Sequence, residues 1–132
     1  MTASAPRACR ARCPTYPLAM TFDLAEGIAL LQRTPAMLSA WLGELPDPWL
    51  RCNEGPRTWN AIDVLGHLIE AERHDWLPRV RHLLQHGEAL AFPPFDRFAQ
   101  QRQAERPVQQ LLAEFATCRA GSLTELASLQ LT

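Results

Sequence analysis

The chain has 132 residues, enough for one domain with one hydrophobic core. It is 47% hydrophobic and 20% charged with a net charge of −1, an ordinary balance for a globular protein that gives no pointer to nucleic acid or an anionic membrane. No apolar run reaches the length of a membrane span, and all 13 basic residues are Arg, which excludes a lysine nucleophile or Schiff base.

Residues 1–20 are rich in Ala, Arg, Pro and Thr without any period, and read as a disordered tail ahead of one domain over residues 21–132. They lack the continuous apolar region of a secretory signal. Pattern begins only at Met20, as a start codon assigned too far upstream would produce. Four Cys are present, and Cys9-x3-Cys13 is not a common zinc spacing. Reduced thiols in a cytoplasmic protein fit this usage. The all-arginine basic set fits the codon bias of a GC-rich genome.

The first helix is predicted over about Asp23 to Glu44. Leu24, Ile28, Leu31, Pro35, Leu38, Leu42 and Leu45 alternate steps of four and three, the seam of a left-handed helical bundle. Pro35 falls on that seam and should bend the helix or restart it after Thr34. Pro46-Asp-Pro48 stops it, and a loop runs on to Trp59.

One long central helix follows from about Thr58 to Arg81. Asn60 is a good N-cap with Asp63 three residues on, and Trp59 can staple onto Val64. Ile62, Leu65, Leu68, Ile69, Trp76, Val80 and Leu83 form a wide apolar arc that asks for two neighbouring helices. Pro78 should kink it. His86-Gly87 reads as a helix end.

Residues 89–106 are too broken by proline for one regular element, and such a connection is functional or a crossover. The last helix starts at Pro107 with the stripe Val108, Leu111, Leu112, Phe115, Ser122, Leu123 and Leu126. Three amphipathic helices with so wide an arc read as an all-α bundle short of one member.

His67, Glu70 and His74 share one helix face at steps of three and four. Imidazoles and a carboxylate so spaced can ligate Zn, Ni or Fe. That face lies opposite much of the apolar arc and also holds Asp63 and Arg81, so a solvated surface explains Glu70 and His74 better than ligation does. His82 and His86 fit partners of the helix C-terminal dipole. Glu72 sits inside the apolar stripe, and Arg119 does the same on the last helix. The simplest inference is a buried pair across the bundle, structural rather than catalytic. Asp75 and Arg79, acid first at four apart, suit an intrahelical pair. Asp96 and Arg97, within the Phe95–Phe98 crossover, could lip a pocket.

The stretch TW-N-x-x-DVLGHL-x-x-AE resembles the signature of the DinB-like superfamily, which also holds YfiT-type metal-dependent hydrolases. LQRTPAML, ERHDWLPR, PFDRF and LLAEFATCRAGSLTEL add to the likeness, which covers roughly residues 20 to 132. The resemblance implies an up-down four-helix bundle with a long crossover, often dimeric. It also implies a divalent metal on three His, one on the second helix and two, as His-x3-His, on the fourth. Only the first ligand carries over, as His67, because no His follows Ser122. A single His is not a metal site, so the metal would not be fully bound by this chain alone.

Three functions follow as expectations. One is a metal-dependent hydrolase or thiol-dependent transferase acting on a small molecule. Another is a non-enzymatic binding or stress-response module. The last is an inactive truncated bundle that forms a homodimer through its uncovered stripe.

Overall fold

The computed structural model describes residues 23–96, 98–99 and 105–131. The tail expected over residues 1–20 lies outside them, as does Arg97. Among the described residues five α-helices follow in order: α1 (Leu24–Leu42), α2 (Asp47–Arg51), α3 (Ala61–His74), α4 (Trp76–His86) and α5 (Val108–Ser128). The fold is an all-α helical bundle, with no strand among the described residues. No helix among them is long and apolar enough to cross a membrane.

Local chemistry sets the ends of these helices. Asp23 caps α1 by accepting from the Glu26 amide at 2.9 Å. Asn60 and Asp63 form a reciprocal capping box on α3, at 2.9 Å and 3.1 Å. Gly87, at φ 59, ends α4 in the left-handed conformation that glycine adopts without a Cβ clash.

The α5 helix is the central rod, packed on α1 at one side and on α3 at the other. Its stripe of Val108, Leu111, Leu112, Phe115, Ser122, Leu123 and Leu126 is buried throughout. Ile62, Leu65 and Ile69 meet it from α3, with Leu42 from α1 and Leu50 from α2 completing the core. The seam of α1 is less covered, and of its residues only Leu42 is fully buried. Leu30, Met37 and Trp41 stand on the exposed side of that helix.

Three sequence expectations need correction. Of the two outcomes expected at Pro35, a bend or a restart, the restart does not occur: α1 runs through it. The Leu31 carbonyl, which loses its helical donor there, finds another in Arg119. The segment after Pro46 is not all loop. Proline sits well in a first turn, Asp47 is acidic there, and Arg51 closes the turn on Asp47 at 2.7 Å, so Asp47–Arg51 is a short helix.

The central helix, finally, is two helices. The break is at Asp75 (φ −117, ψ −83), three residues before Pro78. Proline crowds the carbonyl four residues back, which is that of His74, so the distortion appears one turn upstream. The break rotates α4 out of register with α3. Leu83, expected in the apolar arc, is 46% exposed as a result.

Candidate functional site

The cap at Asn60 fixes where α3 begins, and His67 follows two turns later. Its ring is held between two aromatic side chains. Trp59, just ahead of the cap, lies 4.9 Å away between centroids, and Phe95 of the crossover meets it edge-on at 5.7 Å. The His67 Nδ1 is shut off from solvent and has no hydrogen-bond partner. A buried imidazole nitrogen without a partner is costly, and it marks a position where a ligand atom would be stabilised.

A cleft of about 580 Å³ opens at this ring, lined by Trp59, His67, Asp75, Arg79, Pro94 and Phe95. Asp75 and Arg79 pair at 2.7 Å between Oδ1 and Nε, an ion pair without hydrogen-bond alignment. Arg79 also lies over the Phe92 ring, 5.2 Å from its centroid. The break at Asp75 thus turns a helix interior into a wall of the cleft.

Glu70 is not on the open, solvated face that periodicity suggests for it and His74. Glu70 is 7% exposed, because the crossover residues fold across this side of α3. A smaller cavity of about 260 Å³ lies there, lined by Glu70, His74, Pro94, Phe95, Asp96 and Ala99. His74 stays exposed, with its Nε2 3.8 Å from Glu70 Oε2. Asp96 is among the lining residues of this cavity and accepts from the Phe98 amide at 3.0 Å. The segment from Phe92 to Asp96 is a strap, tied down mainly by side chains.

Glu72 lies about 140° round α3 from His67 at helical spacing, toward α5. Arg119 reaches it there, with Nε 2.8 Å and Nη2 2.6 Å from Glu72 Oε1. Both side chains are buried. Their place is the interhelical core, away from the cleft. A larger groove of about 720 Å³ runs between α1 and α5, lined mostly by alanine and aliphatic side chains. It carries little chemistry, so the cleft at His67 is the better site.

Around His67 the described residues do not supply the donor set of a bound metal ion. Among the described residues no three His, Cys, Asp or Glu side chains are placed to hold one ion. His67 faces aromatic rings and an ion-paired carboxylate, while Glu70 and His74 serve a neighbouring cavity.

A family model of the DinB superfamily matches residues 30–132, most of the chain. The chain belongs to the DinB superfamily. No curated protein matches it. Membership accords with the bundle and with the opening of α3, where the DinB-like Trp59 and His67 sit eight residues apart. Sequence reasoning picked out His67 from this DinB signature. It missed Trp59, Asp75 and Arg79 as cleft walls, because a break in α3 at Asp75 has no local signal beyond Pro78. Phe95 as the cover of His67 was hinted at only by the aromatic composition of the crossover.

Proposed function

We propose that this DinB-superfamily chain is a small-molecule binding module whose ligand sits in the cleft between α3 and the Phe92–Asp96 strap. The buried, unpartnered Nδ1 of His67 carries this reading. It offers one directional polar contact in a cleft otherwise lined by two aromatic rings, Pro94 and the Asp75–Arg79 ion pair, a few placed polar groups of the kind that orient a small ligand. Trp59 and Phe95 favour a planar ligand. A divalent-metal hydrolase or thiol-dependent transferase using Zn, Ni or Fe would need donors from beyond the described residues, with His67 as one ligand among them.

Two planar probes, benzoate and benzamidine, titrated while the His67 ring resonances are followed, test the module reading. Saturable shifts that vanish in Phe95→Ala support it. Shifts that persist in that variant, or none with either probe, overturn it. Metal analysis covers the alternative: stoichiometric Zn or Ni lost in His67→Ala would favour the metal-dependent enzyme.

A second reading concerns partners. Trp41 and Trp49 are 69% and 70% exposed at the rim of an apolar groove of about 460 Å³ between α1 and α3. Trp41 is both groove wall and protruding side chain, which suits a self-complementary contact with a second copy. Sedimentation of the wild type and of Trp41→Glu tests this: a dimer lost in the variant supports it, and a wild-type monomer refutes it.

A further inference from the structure

His82 and His86 take no part in the cleft at His67. They lie one turn apart at the end of α4, with ring centroids 4.8 Å apart and planes inclined by 59°. Two imidazoles at this spacing on one helix can reach a single ion. The structure also settles one tautomer. His82 Nε2 lies 3.1 Å from the carbonyl oxygen of Leu90, which can only accept, so Nε2 carries the proton. In the neutral ring the lone pair is then on Nδ1. A ligating imidazole typically has its other nitrogen donating to a backbone carbonyl in this way, which fixes ring orientation and raises basicity. The Phe92 ring, 5.5 Å from that of His82, limits how the side chain can swing.

We propose that His82 and His86 form a two-imidazole site for a late divalent transition metal, completed by water. Neutral nitrogen donors favour Ni, Cu and Zn over Mg and Ca. Two protein ligands make an open and exchangeable site rather than a structural centre. Its place gives it a consequence. The Leu90 carbonyl that orients His82 belongs to the start of the crossover, so a bound ion would sit beside the hydrogen bond that joins the end of α4 to that segment. The site does not depend on the ligand reading of the cleft.

Ni2+ titrated into the full chain under reducing conditions tests the proposal, because the ion is paramagnetic and redox-silent. Broadening of the His82 and His86 ring resonances ahead of those of His67 and His74 is expected. Calorimetry should show affinity falling at least about tenfold in His82→Gln and in His86→Gln, since ligand loss should cost no less than loss of an outer-shell partner. His67→Ala should leave it unchanged. Unaltered affinity in either glutamine variant, or broadening centred on His67 or the cysteines, would overturn the proposal.

Discussion

Pro35 has no N–H to give to the carbonyl of Leu31, and Arg119, reaching across from α5, donates to that same carbonyl through Nη1 at 3.2 Å. A proline inside a helix strands the acceptor four residues back. Here the stranded acceptor faces the one buried cation of the interhelical core among the described residues. Arg119 therefore ties three helices together: α5 by its backbone, α3 through Glu72, and α1 through Leu31.

That arrangement predicts a particular non-additivity. Pro35→Ala returns an N–H to the Leu31 carbonyl, so that carbonyl no longer relies on Arg119 as its donor. The cost of Arg119→Met should then be smaller in the Pro35→Ala background, by about 1 kcal/mol, the scale of one hydrogen bond. Urea denaturation of the four proteins measures it. Equal costs in both backgrounds would mean that the Arg119–Leu31 contact contributes nothing.

The Glu72–Arg119 pair makes a stronger case. Removing either partner leaves an uncompensated charge in the core, so Glu72→Leu or Arg119→Met should each cost about 3–5 kcal/mol. The double variant should lose well under the sum, because both charges go together. A double-mutant cycle in urea decides. Strict additivity would show that the two charges are solvated independently.

Acid stability should depend on Glu114. This carboxylate is pulled below its usual value of 4.5 chiefly by the Arg106 side chain, with Arg73 adding a second cation at 2.6 Å. A lowered folded-state value means that its contribution is complete above the unfolded value and fades as pH falls through the folded one. Wild type should therefore lose stability below about pH 4.5 more steeply than Glu114→Gln. Urea midpoints from pH 7 to pH 3 check this, and parallel curves would contradict it.

The cap of α3 should matter to the cleft as well as to the helix. Asn60→Ala removes an acceptor from the Asp63 amide and should cost about 1 kcal/mol, with Asn60→Asp recovering most of it. Fraying of the first turn would also loosen Trp59 against His67. Faster modification of His67 by diethyl pyrocarbonate in Asn60→Ala is the expected sign. An unchanged rate would separate the cap from the site.

The first and last helices, the start of α3 and most of the core were legible in the residues, because helical periodicity is a local code read along the sequence. The α5 stripe, the Asn60 cap and the Gly87 end all follow from neighbours within a turn or two. His67 stood out through its spacing with Glu70 and His74 and, more strongly, through the DinB signature. What the chain folds over it did not. The break at Asp75, the burial of Glu70 and the cover provided by Phe95 arise where a proline-rich crossover lies down on α3. Contacts between segments some thirty residues apart leave no period in either one, so only the assembled structure decides which face of α3 is dry.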